Sequence, residues 1–368
     1  MSASAGQSQQ ISNKQYIFYL YKTQIGIGVL MLPNTLTLEA GNSGWISILL
    51  GWLLATLAGL FIVQVMKLYP GKPFAEVLQL VMGKWLGRAV MAGWIVFAAF
   101  AVGHILFTQV IILQVWILRN MNQLLLIVAL LLPVFCITRH RLQVQGRYVE
   151  FVYLFTLWMP PLLFFSLKDA HYLNLLPIAG DGLMPLLKGI KPTLIPFLGF
   201  EMAYMLYPHL QDKSKAFKGL MIANTLALSI YLVVVVAATM YFTSEELRTY
   251  IWPTMQLLKT ITLPFIERFE IVFLSYYIIL VSQTLCAYLS FAAIGIKDLV
   301  GMQDHAKLIV PILAVYVLAA AIIQPSFDTM EATSSWYDPL SIGLGYVFPI
   351  LLWGWWLTRR AGERMLRK

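Results

Sequence analysis

The stretch "QIGIGVLMLP", Gln24 to Pro33, decides how this chain is read. It lies inside an apolar run of the kind that spans a bilayer, yet it holds Gly26, Gly28 and Pro33. In a helix interior glycine costs about 1 kcal/mol relative to alanine, and proline about 3. A spanning helix so weakened is either packed unusually closely or interrupted. Unwound backbone is tolerated at membrane depth only where protein or a wet cavity covers it.

The composition supplies the setting. The chain of 368 residues is 60% hydrophobic and 12% charged, against roughly 45–50% and 25% for a soluble domain. This is the composition of an integral membrane protein and leaves no room for a sizeable soluble domain. The opening "MSASAGQSQQISNK" reads as a polar tail, with neither signal peptide nor lipidation box. Cys136 and Cys286 fall in apolar runs, and free thiols are the expectation.

Spans need about 20 mainly apolar residues. Ten such runs are expected, near 15–38, 44–68, 88–117, 121–138, 144–168, 184–208, 217–243, 267–296, 306–324 and 338–358. The fold class is therefore all-α integral membrane. The segment Pro70 to Arg88 is amphipathic and suits a helix on the membrane surface. With the N-terminus inside, the cytoplasmic flanks gather most of the 26 basic residues. The opposite loops gather acids, Glu39, Asp169, Asp181, Glu245, Glu246, Asp328, Glu331 and Asp338 among them. The positive-inside rule then puts both termini in the cytoplasm. The net charge of +9 is thus a topology signal with anionic-lipid contact, not a nucleic-acid signal. Residues 1–14 and 359–368 form tails around one membrane domain, 15–358.

The sixth span echoes the first. Its centre, "PTLIPFLGFEMAYMLYP", holds Pro192, Pro196, Gly199 and Pro208. Gly26 and Gly199 lie about half a chain apart. Five spans per half is an odd number, so the halves, about 15–168 and 184–358, run in opposite directions. Matched breaks in inverted halves are the best sequence pointer to a transporter-type site. Freed N–H and C=O groups at such breaks become ligands.

Several stretches together are similar to a known family: "QIGIGVLMLP", "FLGFEMAYMLYP", "IWPTMQLLK" (Ile251–Lys259), "IERFE" (Ile266–Glu270) and "YPGKPFAEVLQLVMGK" (Tyr69–Lys84). The chain resembles the B subunits of spore germinant receptors, endospore germination permeases of the amino acid–polyamine–organocation superfamily. The resemblance implies a five-plus-five inverted repeat with helices 1 and 6 broken. It implies germinant sensing in the spore inner membrane (the cell membrane is the plainer alternative), beside an A subunit and a C-subunit lipoprotein. The germinant is usually an amino acid, sugar or nucleoside. It assigns Gly26, Gly28 and Gly199 to the breaks. Ile27 replaces a small residue often found there, so the ligand stays open.

Other candidates come from polar groups within spans, which are functional candidates by default. Lys22 and Glu201 lie on half-helices expected to be neighbours, as a gating pair, a structural pair, or two separate side chains snorkelling at the lipid edge. His104 in the third span, Thr284 and Tyr288 in the eighth, and Phe197, Phe200 and Tyr204 around the second break are pocket candidates or packing residues. The segment around Trp252-Pro253 suits an external lid, with Glu267, Arg268 and Glu270 as its latch or as a solvated cluster. Helix 5, "FVYLFTLWMPPLLFF", has no lysine where some relatives carry one, and no driving ion is inferred. Nothing resembles an enzyme's nucleophile elbow, phosphate loop or metal spacing, so no enzyme, metal or cofactor is expected. A secondary transporter of amino acids or related solutes is the competing function.

Overall fold

The computed structural model describes residues 10–177, 180, 182–261 and 267–365. Every named element among them is a helix, and the chain lacks named strands there. Among the described residues seven helices are long and apolar enough to cross a membrane. A count of ten requires adding the shorter apolar helix Gln123–Thr138 and the two interrupted segments as crossings.

The first crossing is two helices. α1 (Asn13–Gln24) starts at a capping box, in which Ser12 and Gln15 satisfy each other's backbone N–H groups. It stops at Ile25, and α2 (Gly28–Ala40) begins after a short unwound turn. Pro33 lies inside α2. α3 (Gly44–Lys67) returns to the N-terminal face. There α4 (Phe74–Met82) buries Phe74, Ala75, Val77, Leu78 and Val81. The expected surface helix is therefore shorter than Pro70–Arg88, and its apolar face is covered by protein. Gly83, at φ +92°, ends it, and α5 (Lys84–Trp116) starts at once. A Cβ at Gly87 would lie 2.6 Å from Gln79 Cα, so the absent side chain permits this crossing.

α6 (Gln123–Thr138) and α7 (Leu142–Thr156) follow. The sixth crossing is fragmented. α8 (Leu183–Lys188) and α9 (Ile190–Leu194) lead to a non-α turn ending at Gly199, at φ +125°, and short helical turns continue to His209. Pro196 supplies no N–H to an α-helical ladder, which favours the break here, whereas Pro192 sits in the first turn of α9. α10 (Ala216–Tyr241) packs against α1 and α3. On the far face lie α11 (Ser244–Thr249) and α12 (Pro253–Lys259). The last crossings are α13 (Phe269–Val300), α14 (Ala306–Ile323) and α15 (Phe327–Ile342), which continues through a π-helical turn into α16 (Phe348–Met365).

Two expectations shift. The tenth crossing starts at Phe327 and not near 338, so Asp328, Glu331 and Asp338 are helical and not in a loop. Ser326 caps this helix with Thr329, and its polar residues hide it from hydropathy. The "IWPTMQLLK" segment is α12, and Thr254 donates to Val29 O at 3.0 Å. It is clamped on α2. The end of that expected lid, residues 262–266, lies outside the described residues, as do 1–9 and 366–368 of the tails. Glu270 is buried, and Arg268 bonds both Glu270 Oε1 at 2.9 Å and Trp116 O at 3.3 Å. This cluster is not simply solvated. Cys136 and Cys286 are free thiols.

Candidate functional site

The two breaks are joined by tyrosines. The Tyr231 hydroxyl of α10 lies 2.8 Å from Gln24 O and 2.6 Å from Pro196 O, so one hydrogen serves both broken helices. Tyr277 of α13 donates to Gly26 O at 2.5 Å, and Tyr346 donates to Leu194 O at 2.6 Å. Thr284 donates to Thr23 O at 3.3 Å. These bonds satisfy carbonyls that unwinding removes from the helix ladder, as a buried backbone requires.

Gly199 is the position where only glycine fits. Its φ is +125°, and a Cβ would lie 2.8 Å from Gln24 N. Gly26 is different, because a Cβ there would make ordinary contact with Thr284 at 3.6 Å. Gly28 is intermediate, at 3.3 Å from Pro196.

Between the breaks lies a cavity of about 230 Å³. Helix 1 lines it with Thr23, Gln24, Gly26, Ile27, Gly28, Met31 and Thr35, and helix 6 with Pro192, Ile195, Pro196 and Leu198. His104 of α5, Thr284 and Tyr288 of α13, and Ser334, Tyr337 and Asp338 of α15 complete the wall. His104 bonds Thr333 Oγ1 through Nδ1 at 2.9 Å and stacks on Tyr337. The cavity thus occupies the middle and far-face half of the bundle.

The half toward the N-terminal face is filled with aromatic rings. Tyr204 stacks on Phe74 of α4 at 4.0 Å between centroids, and both meet Trp94 edge to face. Phe291, Phe97 and Phe348 also pack around Trp94. Tyr288 joins this cluster to the cavity, since it packs on Phe97 while lining the wall.

The candidates from sequence therefore divide. Gly26, Ile27, Gly28, His104, Thr284 and Tyr288 are on the cavity wall. Phe197, Phe200 and Tyr204 are not. Phe197 packs edge to face on Tyr231, Phe200 on Tyr346, and Tyr204 belongs to the aromatic cluster. Phe197 turns onto Tyr231 in the non-α stretch before Gly199, and the short helical turns after Gly199 carry Phe200 and Tyr204 away from the opening. Lys22 and Glu201 form no ion pair. Lys22 donates to Thr156 Oγ1 of α7 at 2.7 Å, while Glu201 accepts from Gly199 N at 2.7 Å and Tyr288 at 2.6 Å. Their half-helices are neighbours, but Lys22 faces α7 and Glu201 faces α13. Sequence reading missed Tyr231, Tyr277, Gln24 and Asp338.

The family model described as "spore germination protein" matches residues 10–328. The chain belongs to this family. It is 25% identical to spore germination protein GerQB of Bacillus cereus, over 94% of this chain and 95% of that protein. It is also 25% identical to spore germination protein YndE of Bacillus subtilis (strain 168), over 85% of this chain and 87% of that one. Spore germination protein B2 of the same strain is 24% identical over 96% and 97%. Among solved structures, MhsT in complex with L-phenylalanine matches with a TM-score of 0.64, covering 95% of this chain and 88% of that one. A substrate-bound, outward-open Na+-coupled sialic acid symporter matches at 0.66, covering 92% and 79%. Both are 13% identical to this chain, so they speak to the fold, which is that of these transporters. This family of spore germination proteins thus builds a multi-pass, transporter-like membrane protein, and nothing in these likenesses points to an enzyme.

Proposed function

We propose that this chain is the B subunit of a spore germinant receptor. It binds a small germinant in the cavity between the broken helices and signals with an A subunit and a C-subunit lipoprotein. The membrane is the spore inner membrane, with the N-terminal face and both termini in the cytoplasm, which the distribution of Lys and Arg supports.

The observation that carries this reading is the cavity at the crossing of the two breaks. Pockets for drug-sized ligands run to roughly 300–1,000 Å³, and about 230 Å³ suits a solute of amino-acid size. Helix 1's second half starts at Gly28, where the positive end of its dipole meets the cavity wall, although Val29 N and Leu30 N already bond back to Gly26 O and Ile27 O. Such an end favours a carboxylate. The aromatic cluster blocks the way on toward the N-terminal face, which suits a sensor that binds without releasing its ligand inward.

Met31→Trp tests this. Met31 is half-buried on the cavity wall, so tryptophan fills the space without entering the packed core. Spores carrying the variant with the partner subunits should hold normal amounts of the protein and lose the germinant response. An unchanged dose–response would refute the cavity as the site. Solute uptake by the isolated chain in vesicles would instead favour a secondary transporter.

A further inference from the structure

Cationic groups bind at broken helices through freed carbonyls, which carry the negative ends of the peptide dipoles. Here the carbonyls of Gln24, Gly26, Leu194 and Pro196 already accept tyrosine hydroxyls. The Glu201 carboxylate is engaged by Gly199 and Tyr288 and is absent from the cavity wall.

Asp338 is what remains. It is half-buried, and it is the only carboxylate among the described residues of the wall. No Lys or Arg lines the cavity. The Asp338 carboxylate has no hydrogen bond or ion pair among the described residues. Lys191 acts on it electrostatically, but from an exposed position and without forming an ion pair. The other ionisable groups on the wall are His104, held by Thr333, and the hydroxyls of Tyr288 and Tyr337. A second acceptor is also free: Gln24 Oε1 is buried on the same wall without a partner, while its Nε2 donates to Asn224.

We propose that Asp338 reads the cationic end of the ligand, so that the cavity takes small amine-bearing solutes, amino-acid zwitterions foremost, over neutral sugars and nucleosides. This rests on the cavity being the germinant site. A charge-assisted hydrogen bond is roughly twice as strong as a neutral one. Neutral solutes forgo that bond and leave the carboxylate to be desolvated without compensation. The polar groups of α15 thereby select the ligand class.

The test is equilibrium binding to the full chain in detergent. The probes are L-alanine, L-leucine and L-leucine methyl ester, the des-amino acids propionate and 4-methylpentanoate, and inosine and glucose. Amine-bearing probes should bind at least tenfold more tightly than their des-amino partners and than inosine or glucose. Asp338→Asn should weaken them about tenfold or more, Asp338→Glu should recover part of the loss, and Met31→Trp should abolish binding. Amine binding that Met31→Trp abolishes but Asp338→Asn leaves intact would overturn the role of Asp338 and keep the cavity. So would preferred binding of inosine or glucose that Met31→Trp abolishes. Binding insensitive to Met31→Trp, or binding of no probe, would overturn both the cavity and the role of Asp338.

Discussion

Glu201 accepts the hydroxyl hydrogen of Tyr288 at 2.6 Å, and its other oxygen accepts the backbone N–H of Gly199 at 2.7 Å. One carboxyl group thus ties the turn of helix 6 to α13, directly below the cavity. Tyr288 lines the cavity and packs on Phe97, so a ligand touching Tyr288 touches the residue that holds the second break.

Removing that tie should be costly only when the acceptor is lost. Glu201→Gln can keep the Gly199 bond through its amide oxygen and face its NH2 to the Tyr288 oxygen. Glu201→Leu leaves the buried Gly199 N–H unpaired, at about 1–3 kcal/mol, and takes the carboxylate partner from the Tyr288 hydroxyl. Thermal unfolding in detergent should show a small change for Gln and a large loss for Leu. Equal losses would mean that the bonds do not support the turn.

Lys22 is a buried amine whose single hydrogen-bond partner here is the Thr156 hydroxyl; the Tyr21 and Tyr153 rings lie 4.8 and 5.6 Å away. Thr156 also donates to Val152 O, so it keeps a bond without Lys22. Lys22→Met is therefore expected to hold or raise stability, because no carboxylate is left unpaired. Combined with Glu201→Gln, the changes should add to within about 0.5 kcal/mol, as for sites without shared partners. A coupling of several kcal/mol in a double-mutant cycle would show that the two do meet.

At the breaks, two glycines should behave oppositely. Gly199→Ala forces a side chain into a left-handed backbone against Gln24, a strain of order 1–3 kcal/mol before any clash. Gly26→Ala has room against Thr284. The yield of folded protein should fall sharply for Gly199→Ala and stay near normal for Gly26→Ala. Gly199→Leu would be worse than Gly199→Ala, and so cannot serve as a simple pocket blocker.

Tyr231→Phe and Tyr277→Phe separate the two breaks. Each removes one hydroxyl, worth about 0.6 kcal/mol on average within membranes and up to about 1.7. Hydrogen exchange should quicken around both residues 24–30 and 195–202 in Tyr231→Phe, but only around 24–30 in Tyr277→Phe. Exchange confined to helix 1 in both variants would show that Tyr231 does not bridge.

The breaks were legible because Gly26 and Gly28 in one apolar run and Pro196 and Gly199 in the other fall at matched places, although Pro33 stays inside α2. Asp338 was not, since "SFDTMEATSSWYD", residues 326–338, reads as a loop by composition. It is helical behind the Ser326 cap, and its Ser334 and Asp338 face a cavity that no local pattern reveals. Tyr231 and Tyr277 sit in apolar runs, where nothing announces which carbonyl a hydroxyl will meet. Phe197, Phe200 and Tyr204 were misplaced for a geometric reason: an ideal helical period does not carry through the non-α stretch from Ile195 to Gly199 or the short turns that follow it.

Ahead of α1, Ile11 donates to His209 O at 2.8 Å, and Gln211 donates back to Ile11 O at 3.1 Å, a parallel bridge between Ile11 and Leu210. This clasp fastens the start of helix 1 to the end of helix 6. The two half-helices that carry Lys22 and Glu201 are thereby yoked at their outer ends and hinged at Gly26 and Gly199. Bound to each other in this way, the two arms would move together at the membrane surface, beside α4, whose Phe74 leans on Tyr204.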